Sequence, residues 1–158
     1  MVNINLQDEI PVTSEQIVQM LESHDKDYLI DIPTILINNA GSINFAQLLD
    51  AAFNTGVGYN LLALIDVANI LEHNDAFRKV LSEKYPTNIE GGVIEDKIFP
   101  YHEFRQSIRR NFLERVEQRW NVHIAFTLDD FYKVYRDYHL LPVHGKGLRE
   151  YFGDALEI

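Results

Sequence analysis

The sequence predicts a mainly α-helical fold, a single-domain bundle of about six or seven helices with about two to four short strands. Apolar residues recur at three- and four-residue spacing through most of the chain, capping residues precede several of these stretches, and strand-like alternation is brief. With 158 residues, 46% of them hydrophobic, the chain is long enough to bury one core. A single globular domain over residues 1–158 is therefore expected.

The first predicted elements are a strand and a helix. Residues 2–6 alternate apolar and polar side chains, which is typical of a short half-buried strand. Thr13 and Gln16 then match a capping box, in which each side chain bonds the backbone amide of the other residue. This pattern predicts a helix that runs to about Ser23. Its buried face is expected to consist of Ile17, Met20 and Leu21.

The segment 24–41 fits two interpretations. Its β-branched and apolar residues favour strands. Asp31 ahead of Pro33, with Gly41 closing the segment, suits a short helix instead. The pattern favours a helix over residues 33–39, and for residues 28–39 the strand alternative stays open.

Three helices are predicted in the middle of the chain. Ser42 is expected to cap the first, and Gly56 to take the left-handed conformation that follows a helix end. The second, over about residues 60–72, is apolar on nearly every side, which is typical of the central helix of a domain. Asp75 is expected to cap the third, over residues 76–85.

The segment 86–100 interrupts the helical pattern, and we interpret it as a loop inside the domain. Around its two adjacent glycines, residues 89–94 are expected to form a small hairpin. Apolar residues at every fourth position then predict a long helix over residues 101–119.

The last predicted elements begin with a short strand over residues 122–126. Thr127 is expected to cap a helix over residues 128–139, whose first turn carries two aspartates where the helix dipole stabilises negative charge. A turn over residues 142–147 and a short helix over residues 148–156 complete the chain.

The acidic residues are distributed unevenly. Residues 1–75 hold 11 of the 24 acids and a single base, Lys26, whereas residues 76–158 hold 13 acids and 13 bases. The formal charge of −10 therefore resides almost wholly in the first half. Such asymmetry produces a directional field that attracts cationic surfaces and repels phosphate.

Composition excludes several chemistries. The chain has no cysteine, which rules out disulfides, thiolate metal sites and cysteine nucleophiles and fits a reducing compartment. The N-terminus lacks the basic and apolar regions of a secretory signal, and the most apolar stretch, residues 61–71, is shorter than the ~20 residues that a membrane span needs. A cytoplasmic protein without membrane association or cofactor is expected.

Three polar residues recur on one face of the predicted central helix: Asp66, Asn69 and His73. A carboxylate and an imidazole on one face can bind a metal ion or act as an acid/base pair. They can equally form the solvated edge of an otherwise buried helix. No matching cluster of ligands occurs elsewhere, so the sequence favours the solvated edge and predicts no metal site.

The function that the sequence favours is protein binding, by a small acidic inhibitor, immunity protein or chaperone that covers a basic protein partner. The candidate contacts are Asp8, Glu9, Glu22, Asp25, Asp27 and Asp31. One alternative is a small metal- or acid/base-dependent enzyme that uses Asp66 and His73. Another is a structural or assembly subunit that associates with itself.

Nucleic acid is disfavoured as a partner. Arginines on the predicted helix 101–119 offer phosphate contacts, but acidic residues are interleaved with them. Affinity for nucleic acid depends on neutralising phosphates, and a net charge of −10 opposes it. The arginines are better explained as balancing the acidic half.

Overall fold

The computed structural model describes residues 13–94 and 113–139. Within these ranges the protein is mainly helical with one two-stranded parallel sheet, so the predicted fold class is confirmed. The helices are α1 (Ser14–Ser23), α2 (Lys26–Leu29), α3 (Ile32–Asn38), α4 (Phe45–Asn54), α5 (Gly58–Leu71), α6 (Asp75–Ser82), α7 (residues 113–120) and α8 (Leu128–His139). The strands are β1 (Gly92–Ile94) and β2 (Val122–Ile124).

The predicted capping box opens α1. The Thr13 hydroxyl accepts a hydrogen bond from the Gln16 amide at 3.2 Å, and the Gln16 side-chain oxygen accepts one from the Thr13 amide at 3.0 Å. The helix ends at Ser23, as predicted. Its buried residues are Ile17, Val18 and Leu21, with Met20 partly buried beside them.

The ambiguous segment is helical. It forms α2 and α3, and the latter spans Ile32–Asn38, close to the predicted 33–39. Pro33 lies in the first turn, where its missing N–H has no intrahelical acceptor to lose. Leu36 is fully buried, since α3 packs against α5 and α8.

Asn44, rather than Ser42, caps α4. The Asn44 side-chain oxygen accepts a hydrogen bond from the Gln47 amide at 3.1 Å. The prediction for Ser42 was wrong. Its amide and its hydroxyl both donate to the carbonyl of Asn39, so Ser42 belongs to the turn that follows α3. Gly56, just after α4, has φ +82°, as predicted for a left-handed position.

The central position predicted for the apolar helix is confirmed. This helix is α5, which spans Gly58–Leu71 and contacts α3, α4, α6 and α8. Leu61, Leu64 and Ile65 have no exposed surface. A helix whose surface is apolar on nearly every side is thus packed by other elements on nearly every side.

Asn74 caps α6 by accepting a hydrogen bond from the Ala76 amide at 2.8 Å. The prediction that Asp75 is the cap was wrong, since Asp75 occupies the first helical turn, where the dipole favours its charge. The helix ends at Ser82 rather than near Tyr85.

The predicted hairpin at residues 89–94 was wrong. Gly91, with φ +79°, does form a turn, but the strand that follows it pairs in parallel with β2. The register places Gly92 opposite Val122 and Ile94 opposite Ile124. The partner strand thus comes from far along the chain, at the position where the sequence predicts a strand over residues 122–126.

A second capping box opens α8. The Thr127 hydroxyl accepts a hydrogen bond from the Asp130 amide at 3.1 Å, and the Asp130 carboxylate accepts one from the Thr127 amide at 2.9 Å. The helix spans Leu128–His139 as predicted. Phe131 and Tyr135 are buried on its inner face.

Four predicted elements lie wholly or partly outside the described residues: the strand at 2–6, the first part of the helix at 101–119, the turn at 142–147 and the helix at 148–156. Among residues 13–94 and 113–139, no helix combines the length and hydrophobicity needed to cross a bilayer.

Candidate functional site

The predicted partner-binding carboxylates gather where α1 passes into α2 and α3. We call this surface the acidic corner, and it consists of Glu22, Asp25, Asp27 and Asp31. The first three are exposed, and the fourth is partly buried at the start of α3. Asp8 and Glu9, the other predicted contacts, lie outside the described residues.

Local hydrogen bonds hold the backbone of the acidic corner. The Asp25 carboxylate accepts a hydrogen bond from the Asp27 amide at 2.9 Å, and the Asp25 carbonyl accepts one from the Leu29 amide at 2.9 Å. Leu29 is buried and anchors α2, whereas the neighbouring Tyr28 is 50% exposed. The corner therefore presents an aromatic ring among carboxylates on a short, anchored helix.

The acidic corner has an excess of negative charge, since residues 22–31 hold four acids and one base, Lys26. Among the side chains that the structure describes, none of its four carboxylates forms an ion pair. Partial burial, and secondly the nearby Asp27 carboxylate, raise the pKa of Asp31 to about 6. Because repulsion contributes to this shift, a cationic group placed at the corner would lower the free energy of the ionised form.

Asp66 is not part of a solvated edge. Its side chain is 15% exposed, and its carboxylate accepts a hydrogen bond from the indole Nε1–H of Trp120 at 3.0 Å. The same carboxylate oxygen lies 3.5 Å from Nη1 of Arg119. Both partners belong to α7, so Asp66 links the central helix to the helix that packs over it.

Burial dominates the electrostatics of Asp66. It raises the pKa of the carboxyl group, while the Trp120 hydrogen bond and the Arg119 charge lower it by less. The neutral form is therefore favoured more in the folded protein than in an unfolded chain.

The other polar residues predicted on the central helix have separate surroundings. The Asn69 side-chain oxygen accepts a hydrogen bond from the Asn74 amide at 3.2 Å and so supports the turn into α6. His73 is exposed beyond the end of α5 and is not among the groups that contact the Asp66 carboxylate. Within the described part of the chain, no three His, Cys, Asp or Glu side chains are grouped to hold a metal ion.

Arg119 makes three contacts that the sequence did not indicate. Besides its ion pair with Asp66, its guanidinium donates to the carbonyl of Leu81 and lies 4.6 Å from the centre of the Trp120 ring. The sequence pattern predicts only that this arginine balances the acidic half of the chain, without naming a partner. Its main partner is far away in the chain, so no local spacing reveals the contact.

Glu117 also has a role that the sequence did not indicate. It is 8% exposed, and one carboxylate oxygen accepts a hydrogen bond from the Ile124 amide at 2.8 Å. The same oxygen lies 3.2 Å from Nδ1 of His123. This carboxylate fixes β2 against α7.

Comparison of the chain with protein-family models, curated proteins and solved structures finds no match.

Proposed function

We propose that the protein is a binding module whose acidic corner covers a basic surface on a partner protein, as an inhibitor, an immunity protein or a chaperone does. The observation that carries this proposal is the half-exposed Tyr28, which lies in a segment, residues 22–31, that holds four acids and one base. We place the interaction in the cytoplasm, because a cysteine-free chain suits a reducing compartment.

The corner combines the two features that such an interface requires. Tyrosine is enriched among the residues that dominate binding energy, because its large rigid ring buries apolar area and keeps a polar end. Carboxylates around it act mainly on the rate of association, which electrostatic steering raises by ~10–10³ at low salt. Tyr28 would thus supply affinity, and Asp25 and Asp27 would supply attraction and orientation.

The same charges argue against pairing of two corners with each other. Two copies of a surface with excess negative charge repel, and like charges brought together across an interface cost several kcal/mol. A basic partner of different sequence is favoured over self-association through this surface.

A peptide of ten lysines is a defined cationic probe of the electrostatic field around the acidic corner. In a titration followed by amide chemical shifts, we expect the largest saturable changes within residues 22–31 and their loss in 0.5 M salt, where screening is nearly complete. Shifts spread evenly over the exposed acids would contradict a focused surface.

A bait comparison then tests partner binding with the full-length chain in an extract of the cells that produce it. The corner variant carries Asp25→Asn, Asp27→Asn and Asp31→Asn. The control variant carries Asp50→Asn, Asp75→Asn and Asp137→Asn, which remove the same charge from exposed positions on α4, α6 and α8. Asparagine preserves the capping oxygen at position 25, so the backbone of the corner should persist.

The expected result is a basic protein retained by the wild type and the control variant and reduced at least tenfold with the corner variant and with Tyr28→Ala. With the purified partner, the association rate should fall steeply as salt rises, while dissociation changes much less. Equal recovery with all baits would reject the acidic corner as the binding surface.

A further inference from the structure

A cleft lies between the start of α5 and the segment 86–92. Its volume is ≈ 350 Å³. One wall carries the aromatic rings of Phe53 and Tyr59, and the other is the backbone of the segment around Gly91. All of its lining residues lie within 53–60 and 87–92.

Glycines allow the walls of the cleft to approach each other. A Cβ at Gly58 would lie 2.4 Å from ring atoms of Phe53, and a Cβ at Gly92 would lie 2.4 Å from the side-chain oxygen of Asn60. The rings of Phe53 and Tyr59 meet edge to face with centroids 5.1 Å apart. The aromatic wall and the Asn60 amide are therefore already in place without a ligand.

Hydrogen bonds hold the opposite wall. The Asn88 amide nitrogen donates to the carbonyl of Trp120 at 2.9 Å, and its oxygen accepts from the Gly91 amide at 3.1 Å. The Asn121 side chain donates to the Asn88 carbonyl at 2.8 Å. The Tyr59 hydroxyl donates to the carbonyl at Pro86 and joins the two walls.

The start of α5 supplies unpaired donors. Val57, at the N-cap, makes no side-chain capping bond. The amides of Gly58, Tyr59 and Asn60 have no hydrogen-bond acceptor within the described structure. Such free amides, together with the helix dipole, make the N-terminus of a long helix attractive to negative charge.

The side chain of Asn60 is a second polar feature of the cleft, independent of the helix amides. Its side chain is 9% exposed, lines the cleft, and has no hydrogen-bond partner among the described residues. Polar side chains that are this deeply buried are usually hydrogen-bonded. Its oxygen lies against Gly92, so its nitrogen is the group that we expect to meet a molecule in the cleft.

We propose that this cleft binds a small carboxylate attached to an aromatic or branched apolar body. The free groups are mainly donors, namely the three α5 amides and the Asn60 nitrogen, which suits a ligand with two acceptor oxygens. The apolar body would pack against Phe53, which is 36% exposed, and Tyr59. No Lys or Arg lines the described cleft, whereas the exposed Glu90 does, so a phosphate dianion is disfavoured more strongly than a carboxylate with one charge.

Three ligands of matched size or charge test the chemistry: benzoate, benzamide and inorganic phosphate, each titrated into the full-length protein at constant ionic strength. We expect benzoate to shift the amide resonances of residues 56–60 and 88–92 saturably and to bind at least tenfold more tightly than benzamide. Phosphate should produce no saturable change there. Benzoate that fails to saturate at 20 mM, or that binds no better than benzamide, would overturn the proposal.

A matched pair of variants tests the role of the site. Asn60→Asp keeps the shape of the side chain and adds a negative charge, so benzoate affinity should fall at least tenfold. Gln19→Glu adds the same charge at an exposed position of α1 and should leave the affinity unchanged. An acid in the first helical turn is favourable to the helix, so Asn60→Asp should fold. Equal benzoate affinity in the two variants would show that the ligand lies elsewhere.

Discussion

Replacement of Asp66 by alanine and by asparagine separates the hydrogen bond of its carboxylate from its charge. In Asp66→Ala the indole N–H of Trp120, a residue only 6% exposed, loses its acceptor, which costs ~1–3 kcal/mol. Loss of the ion pair with the half-exposed Arg119 adds ~0.2–1 kcal/mol. The free energy of unfolding should therefore fall by about 1–4 kcal/mol.

Asp66→Asn keeps an oxygen acceptor and removes the charge. Burial raises the pKa of Asp66, so its contribution to stability is complete below the unfolded-state pKa and is lost as pH rises through the folded-state value. The difference in unfolding free energy between the asparagine variant and the wild type should therefore be more favourable to the variant at pH 7 than at pH 4. At pH 7 its loss should be clearly smaller than that of the alanine variant.

Urea unfolding at pH 4 and pH 7, followed by fluorescence, measures these differences, since Trp120 is the only tryptophan in the chain. Asp50→Ala, at an exposed position of α4, is the control and should change stability by no more than ~0.5 kcal/mol. Equal losses for the alanine and asparagine variants at pH 7 would refute the reasoning, because the charge and not the hydrogen bond would then stabilise the fold.

Three further substitutions test the core, a titrating acid and a turn. Leu64→Ala, at a fully buried position, should cost ~2–5 kcal/mol in urea unfolding, and a loss below 1 kcal/mol would contradict its central place. The fold raises the pKa of Asp31 from 3.8 to about 6, so this carboxyl group stabilises the fold below pH 4 and loses that contribution as the pH rises through about 6. Asp31→Asn should therefore raise the free energy of unfolding at pH 7 by ~1–2 kcal/mol, a value reduced to allow for partial exposure. A pH series of unfolding curves in which the variant and the wild type decline alike would contradict this. Gly91→Ala, at φ +79°, should cost ~1–2 kcal/mol, which thermal unfolding would detect, and an unchanged midpoint would exclude strain at this turn.

The elements that could be predicted are those whose evidence is local. Thr13 and Thr127 have their capping partners three residues away, so the pattern alone indicates both helix starts. The centrality of α5 follows from its composition, because a helix that is apolar all round needs neighbours on all sides. The exposed acids of residues 22–27 were also predictable, since charged side chains rarely bury without partners.

The wrong capping residues show where local evidence ends. Ser42 and Asn44, two positions apart, are both good N-caps, and so are the adjacent Asn74 and Asp75. The choice between them depends on how the chain leaves the preceding helix, and in the first case Ser42 is held by Asn39. Backbone geometry, and not residue preference, decides the boundary.

The contacts of the site were beyond prediction for a different reason. Asp66 and Trp120 are 54 residues apart, and only the packing of α7 on α5 brings them together. Tyr28 is exposed because Leu29 takes the buried side of a four-residue helix, which is too short to show a period. The position of Asn60 was equally beyond prediction, because its side chain packs against Gly92 of β1, which lies 32 residues further along the chain.

The parallel pairing of β1 with β2 sets an order for folding. Gly92 and Val122 are 30 residues apart, and closing a loop of that length in the unfolded chain costs ~3 kcal/mol of chain entropy. The contacts of α5 with α4 and α6 join neighbours in the chain and are expected to form earlier. In native-state hydrogen exchange, the amide of His123 should therefore open at lower free energy than those of α5. Residues 87–92 also form one wall of the cleft. Local unfolding of the sheet would therefore remove this wall while the helical core stays folded.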